Sequence, residues 1–267
     1  MKNVLKFVVL LGMLSILLLV TVSCGGGQPS GPAATTGAPS GSTQAPPSTG
    51  IDPATAATIN GKVNFSGTAP QPKKIDMSAE PGCAQQYPDG ATTENVIVNS
   101  NNTLQNVFVY VKDGLGGKTF PAPSQAALLD QKGCRYIPHV FGVQVNQNID
   151  IRNSDNNLHN IHPRPKINKE FNQGQPRQGM VTTKSFDKPE VMIPVFCEIH
   201  SWMNGYIAVL DNPFFAVSGA DGTFSIKGLP PGDYTLEAIH EEYGTQTMKV
   251  TVAAKDTKQV DFTFKAP

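Results

Sequence analysis

The sequence predicts an all-β protein, and three observations lead to that class. The 267 residues include 25 Gly and 22 Pro, and only 16% of the residues are charged, a composition typical of turn-rich sheets and flexible tails. From Thr58 onward, short runs of alternating apolar and polar residues are separated by Gly, Pro, Asp or Asn. No segment shows a helical apolar period of useful length. A helical bundle is therefore not expected.

Residues 1–24 are typical of an export signal. Lys2 and Lys6 give a positively charged start, and a long apolar run leads to a small residue directly before Cys24. The apolar run is shorter than the roughly 20 residues that a helix needs to span a bilayer, which favours cleavage over retention as an anchor. We therefore assign residues 1–24 to a signal peptide that ends at Cys24.

The end of this segment resembles the lipobox of bacterial lipoproteins, in which the cysteine becomes the lipidated first residue. Thr21 departs from the Leu or Val that is usual at that place. The resemblance implies lipidation of Cys24, a membrane anchor and an extracytoplasmic location, in the periplasm or at the cell surface. Ordinary secretion with a chance cysteine is the alternative.

Residues 25–56 are predicted to be a disordered linker. From Gly25 to Gly50 the chain contains only Gly, Pro, Ser, Thr, Ala and Gln. Without charges or large apolar side chains, nothing in this segment offsets the entropy lost on ordering. We expect a tether that holds the folded part near a membrane without laying it on the surface.

Residues 57–124 supply the first predicted strands of the folded part. Ile59–Phe65 and Val107–Val111 alternate between apolar and polar residues, which is the period of a half-buried strand. Further on, alternation on both sides of Asn146–Asn148 predicts a β-hairpin. Five later runs also read as strands, at residues 206–210, 223–226, 234–239, 248–252 and 260–264.

Residues 212–267 carry a pattern that is known from a family of small domains. Gly222–Ile226 is followed by Gly228–Ala238, which contains Leu-Pro-Pro-Gly-Asp-Tyr. This pattern resembles the carboxypeptidase regulatory-like module, a small prealbumin-like β-sandwich. Two strands that normally open the module are missing here, and candidates lie within residues 57–124. We therefore predict a split sandwich with residues 125–211 inserted into it; three consecutive modules are the simpler alternative.

A group of metal-ligating residue types lies in the inserted segment. Cys197, His200 and Met203 form a C-x-x-H-x-x-M motif, and His159 adds a second imidazole upstream. Thiolate, two imidazoles and a thioether are the ligand set of a blue-copper electron-transfer site, with Met as the weak axial ligand. The sequence therefore predicts one type 1 copper.

These residues resemble the cupredoxin family, a Greek-key β-sandwich, and the short Cys-to-Met loop is most like that of amicyanin. The resemblance covers about residues 125–211. It implies that His159 is the first histidine ligand, Cys197 the thiolate, His200 the second histidine and Met203 the axial ligand. It also implies that Asn160 ties the two ligand segments together.

Two departures from the family pattern carry expectations of their own. Pro194 in the strand before Cys197 indicates an edge strand or a bulge, because Pro cannot donate a ladder hydrogen bond. Glu198 places a carboxylate beside the thiolate in sequence, where it could lower the copper potential.

Other interpretations of the same residues remain open. Met203 could be core packing, Cys197 could form a disulfide, and His162 could replace His159 as a ligand. Three more residues are interpreted as outside the site: His139 as structural or exposed, His240 as a solvated strand residue, and Trp202 as packing.

The cysteine count favours one disulfide. If Cys24 carries lipid, three cysteines remain, and an odd number in an exported protein suggests one pair and one cysteine with another role. We predict a Cys83–Cys134 disulfide, which leaves Cys197 for metal. Spacing alone cannot prove the pairing, because three cysteines allow three pairs.

Electron transfer is the function that these features favour. Four side-chain ligands leave no position for a substrate, so we do not expect an enzyme. Five His are too few for the additional copper centres of oxidases or reductases that share the fold. By analogy with the family, the partner would be a redox protein such as a c-type cytochrome or a membrane oxidase.

Two other functions are weighed against electron transfer. The prealbumin-like part could be a carbohydrate-binding or adhesion module, and the metal residues could serve copper storage or delivery. Nucleic acid is not an expected partner, because 21 Lys and Arg balance 21 Asp and Glu and no run of basic residues exceeds two.

Overall fold

The structure is a computed structural model that describes residues 51–266. The predicted signal peptide with Cys24 and nearly all of the predicted linker lie outside the described residues. Between residues 51 and 266, no helix combines the length and the apolar character that crossing a membrane would require.

Strands dominate the described part of the chain, which confirms the all-β prediction. One short helix, α1 (Pro81–Ala84), is also formed. In chain order the strands are β1 (Ala57–Ser66), β2 (Lys74–Ile75), β3 (Ala91–Thr92), β4 (Phe108–Asp113), β5 (Ala127–Gln131), β6 (Tyr136–Ile137), β7 (Val140–Gln144), β8 (Ile149–Asn153), β9 (His159–Pro163), β10 (Gln173–Gln175), β11 (Val181–Lys184), β12 (Glu190–Phe196), β13 (Asn204–Leu210), β14 (Phe215–Val217), β15 (Thr223–Leu229), β16 (Gly232–His240), β17 (Gly244–Val252), β18 (Thr257–Gln259) and β19 (Phe262–Lys265).

The first sandwich, which we call the split sandwich, is built from both ends of the described chain. Its first sheet has β1 paired antiparallel with β15 and parallel with β18 and β19. Its second sheet has the order β14-β4-β16-β17. The alternating apolar residues of these strands face one another in a single core. That core includes Ile59, Val63, Val109, Phe224, Leu236 and Phe262.

The second sandwich, which we call the inserted sandwich, contains β5 to β13. A five-stranded sheet has the order β10-β9-β12-β13-β7, and a four-stranded sheet has the order β11-β8-β5-β6. The core between them includes Leu129, Val143, Ile151, Ile161, Ile193 and Ile207. The chain enters this sandwich after β4 and leaves it before β14, and these two strands are antiparallel neighbours in one sheet.

The predicted hairpin around Asn146–Asn148 is wrong. β7 pairs with β13, and β8 pairs with β5 and β11, so the two strands lie in different sheets. Val143 and Ile149 are both buried in the same core, one from each sheet. The alternating apolar residues on both sides of Asn146–Asn148 therefore belong to two strands that face each other across the core. The two strands of a hairpin show the same alternation.

The strand that contains Pro194 is internal, because β12 lies between β9 and β13. It does carry an irregularity, since the register with β13 shifts between Glu190 and Ile193 and Met192 has a φ of 59°. Of the two explanations expected for Pro194, the edge position is wrong and the bulge is found.

Residues 74–92 do not join the split sandwich, although they fall within the segment predicted to supply its strands. They form β2, α1 and β3, and their buried side chains Met77, Cys83 and Ala91 pack with Cys134 of the inserted sandwich. This segment therefore belongs structurally to the end of the inserted sandwich where the candidate ligands lie.

Candidate metal centre

Two neighbouring strands position the predicted ligands. His159 begins β9, and Cys197 follows directly after the last residue of β12, which pairs with β9. His200 and Met203 lie in the tight turn that joins β12 to β13. The Met203 N–H donates to the His200 carbonyl at 2.9 Å, and the Cys197 N–H donates to the Met203 carbonyl at 3.0 Å. These bonds fix the short loop from both sides.

The structure brings together three of the predicted ligand atoms. One donor atom each from His159, Cys197 and His200 lies within 4.8 Å of the others. The two histidine Nδ1 atoms are 3.1 Å apart, and Cys197 Sγ lies 3.6 Å from His200 Nδ1. The exposed fractions of these side chains are 0%, 4% and 1% in chain order. A buried sulfur and two imidazole nitrogens thus converge on one point.

Met203 is placed at the closing end of the ligand loop. It is 1% exposed and packs in the same apolar cluster as Cys197. Met203 is therefore part of the apolar packing that surrounds Cys197. Among the described cysteines, Cys197 is the free one, because Cys83 and Cys134 form a disulfide.

The surroundings of Cys197 favour the ionised form of its thiol. Burial raises its pKa, but hydrogen bonds from the His159 and His200 side chains and from the backbone of Asn160 and His200 outweigh it and lower the pKa to about 6. The thiolate, which is the form that binds metals, therefore predominates at neutral pH.

Asp155 Oδ2 lies 2.9 Å from Nε2 of His159, which we call the outer nitrogen of the ring because Nδ1 faces His200. Burial raises the Asp155 pKa, but the His159 bond and two backbone N–H groups, from Cys134 and Gly133, lower it to about 2. This charged acceptor engages Nε2 of His159, so Nδ1 is the ring nitrogen directed at the other candidate ligands and the one that would bind a metal ion once it has lost its proton. Asp155 was not predicted from the sequence as a site residue, although it lies only four residues before His159.

Asn160 links the two ligand segments. Its Oδ1 accepts the Glu198 N–H at 2.5 Å, and its Nδ2 donates to Asn172 Oδ1 at 2.5 Å. The Tyr136 hydroxyl adds a second link, since it lies within hydrogen-bond distance of the carbonyls of Asn160 and Phe196. The segment after β12 is therefore tied to β9 beside the cysteine.

His162 is not brought to the cluster. Along β9 it lies three residues from His159, so its side chain is on the opposite face of the strand. Its ring nitrogens lie 2.5 Å from Glu198 Oε1 and 2.5 Å from Glu170 Oε1. The Glu198 carboxylate also pairs with Arg164 at 2.7 Å, so it is directed at these cations on the surface.

His139 and His240 lie away from the metal cluster, in contact with the split sandwich. His139 pairs with Glu241, and His240 is 1% exposed and stacks on Tyr243. The interpretation of His240 as a solvated strand residue is wrong, because its side chain faces the core of the split sandwich. Trp202 packs with its ring centroid 5.2 Å from that of His200.

Comparisons with known proteins match both parts of the chain. Residues 208–265 match the family described as "Carboxypeptidase regulatory-like domain". Similar solved structures include a mutant of amicyanin in its Cu(I) form, with 19% identity and a TM-score of 0.28, over 32% of this chain and 81% of that one. A purple cupredoxin from Nitrosopumilus maritimus has 22% identity and a TM-score of 0.27, over 31% and 98% of the two chains.

A Cu-containing nitrite reductase from Thermus scotoductus SA-01 has 19% identity and a TM-score of 0.29, over 36% of this chain and 25% of that one. Comparison with curated proteins finds no match. The two resemblances predicted from the sequence, to cupredoxins and to the carboxypeptidase regulatory-like domain, are both found. Likenesses as small as those to the solved structures carry no inference about a ligand, so the metal assignment rests on the side chains.

Proposed function

We propose that this chain is a type 1 blue-copper protein that carries single electrons between redox partners outside the cytoplasm. The observation that carries the proposal is the buried convergence of His159, Cys197 and His200. One thiolate and two imidazoles, with the Met203 thioether as the predicted axial ligand, form a donor set that suits copper in electron transfer. Copper bound there would supply a one-electron couple.

The protein's own residues perform the remaining tasks. Asp155 orients His159, and the Asn160 backbone stabilises the Cys197 thiolate. The apolar cluster that contains Met203 excludes water from the centre. Four side-chain donors would leave no position for a substrate, which supports a carrier over an enzyme.

The sequence supports a location outside the cytoplasm, and analogy with the cupredoxin family supports the class of partner. Lipidation of Cys24 would anchor the protein to a membrane, and the Gly/Pro/Ser-rich linker would give the folded part freedom to meet a partner. A c-type cytochrome or a membrane oxidase is the class of partner we propose.

The two alternative functions receive less support. A sugar-binding platform needs exposed aromatic rings, whereas Phe224, Tyr234, Phe262 and Phe264 are all buried in the split sandwich. Copper delivery needs ligands that exchange readily, whereas the candidate ligands are almost fully covered.

Addition of Cu(II) to the metal-free protein tests the proposal. We expect an intense visible thiolate-to-copper band, because Cys197 is ionised and adjacent to both imidazoles. The band should be lost in Cys197→Ala and strongly altered in His200→Ala.

His162→Ala is the matched control, since this histidine lies on the same strand as His159 but outside the cluster. It should keep the band of the unmodified protein. A colourless protein, or one whose spectrum is the same in the unmodified chain and in Cys197→Ala, would refute the proposal.

A further inference from the structure

The Nε2 atoms of both candidate histidine ligands are directed toward the Cys83–Cys134 pair. His200 Nε2 lies 3.6 Å from Cys83 Sγ. Asp155 Oδ2, which lies 2.9 Å from His159 Nε2, accepts the backbone N–H of Cys134 at 2.7 Å. The bridge therefore contacts one imidazole through a sulfur, and its Cys134 backbone is linked to the other through one carboxylate.

The bridge fastens a cover over His200. We define the cap as residues 74–92, which include β2, α1 and β3. Besides the disulfide, the cap is held by the Tyr87 hydroxyl, which donates to the Gly133 carbonyl at 2.7 Å. Trp202 closes the adjacent side, with its Nε1 donating to the Cys134 carbonyl at 3.3 Å. Together these groups leave the His200 side chain 1% exposed.

The cap fits closely against the loop before His159. Asn157 Nδ2 lies 3.4 Å from the sulfur of Cys83 and 3.4 Å from that of Cys134. A Cβ atom on Gly82 would come within 2.4 Å of Asn157 Oδ1, so the cap backbone lies directly on this side chain. Asn157 thus packs between the bridge and the start of β9.

We propose that the Cys83–Cys134 disulfide is a positioning and closing element of the metal centre. It keeps the cap over His200 and fixes the surroundings of both outer imidazole nitrogens. Its action on the metal rests on the function proposed above. Cys197 Sγ lies 3.6 Å from Nδ1 of His200, on the other side of the ring from Cys83, so a cap that covers His200 also restricts access to the thiol, with or without metal. A closed centre retains its ion, because release requires the cap to open first.

Alkylation of Cys197 in the metal-free full chain tests the closure. The protein would be treated with iodoacetamide at pH 8, and mass spectrometry of the peptide that contains Cys197 would measure the rate of alkylation. We expect the Cys83→Ala/Cys134→Ala double variant to react at least tenfold faster than the unmodified protein. Asp89→Ala is the matched control, since this exposed residue lies within the cap and its replacement keeps the bridge, and it should react within twofold of the unmodified protein.

Equal alkylation rates in the folded double variant and the unmodified protein would overturn the proposal. Circular dichroism reports whether the double variant is folded. If it is not, the bridge can be reduced in the unmodified protein with dithiothreitol, which gives two electrons and two protons to the sulfurs and becomes a cyclic disulfide itself. Faster alkylation of Cys197 after this reduction supports closure, and an unchanged rate refutes it.

The copper-loaded protein tests the positioning. In the double variant we expect a shifted visible band and loss of copper to a chelator at least tenfold faster, with Asp89→Ala unchanged in both. An unchanged band and unchanged copper loss would refute positioning. If no variant or unmodified protein binds copper, the proposed function fails while the alkylation result still decides the closure.

Discussion

At the scale of single residues, His240 makes stability depend on pH. Burial, with a smaller contribution from the nearby His139, lowers its pKa from 6.5 to about 4. Above pH 6.5 the ring is neutral in the folded and the unfolded chain. Between pH 6.5 and about 4 the unfolded chain binds a proton that the folded chain does not. Stability is therefore lost as pH falls through this window.

The expected loss from this one group is about 3 kcal/mol across the window. His240→Gln should flatten the fall, as measured by urea unfolding at pH 7, 5.5 and 4.5. His162→Gln serves as control and should not flatten the fall. Glu170 and Glu198 raise the pKa of His162, so this histidine stabilises the folded chain as pH falls and its removal can only steepen the loss. The same slope in His240→Gln and the unmodified protein would contradict this account.

The sequence predicted the candidate ligands themselves, but it did not predict the residues that contact them from distant segments. The motif from Cys197 to Met203 lies on one loop, so its members had to be near one another, and His159 was placed by a family pattern. The contact of Cys83 with His200 joins segments that are far apart in sequence, and no local signal encodes it. Likewise, the burial of His240 depends in part on Phe264, which packs against it from β19.

At the scale of the elements, β7 depends on a glycine where the two sandwiches meet. A Cβ at Gly142 would lie 2.5 Å from the Phe215 ring and 2.8 Å from the Phe108 ring. Both rings belong to the split sandwich, on β14 and β4. Any larger residue at this position must therefore push the two sandwiches apart.

Gly142→Ala should destabilise the protein by about 1–3 kcal/mol, the usual effect of overpacking. Gly174→Ala is the matched control, since this strand glycine has nothing within 4 Å of the position of its Cβ. Thermal unfolding would measure both. A larger destabilisation in Gly174→Ala than in Gly142→Ala would contradict the role assigned to the contact.

Strand existence could be predicted from period-2 patterns, whereas strand pairing could not. The runs at residues 59–65 and 107–111 are found as β1 and β4. The runs around Asn146–Asn148 are also strands, but the pattern does not say whether a partner lies beside a strand or across a core. Pairing is decided by tertiary packing, and short strands such as β10 and β14 carry too few residues to show a period.

At the scale of the whole molecule, the C-terminal segment depends on strands that precede the insertion. β15 pairs with β1, and β16 lies between β4 and β17. The core of the split sandwich likewise takes Ile59 and Val63 from β1. The segment that matches the carboxypeptidase regulatory-like family is thus only part of a folded sandwich.

We therefore expect a fragment of residues 208–267 to be unfolded by circular dichroism and by the narrow dispersion of its amide NMR signals. A fragment of residues 51–113 joined by a short flexible linker to residues 214–267 restores β1 and β4 and should unfold cooperatively. Cooperative unfolding of the shorter fragment would show that the missing strands are dispensable.

The side-by-side arrangement of β4 and β14 has a consequence for how such a protein can change. Phe108 pairs with Val217 and Tyr110 with Phe215, so the chain departs and returns at adjacent points of one sheet. The sheet needs from the intervening hundred or so residues only that their two ends meet. The split sandwich can therefore accept inserts of different sequence and length between β4 and β14, provided that the two ends of the insert lie close together.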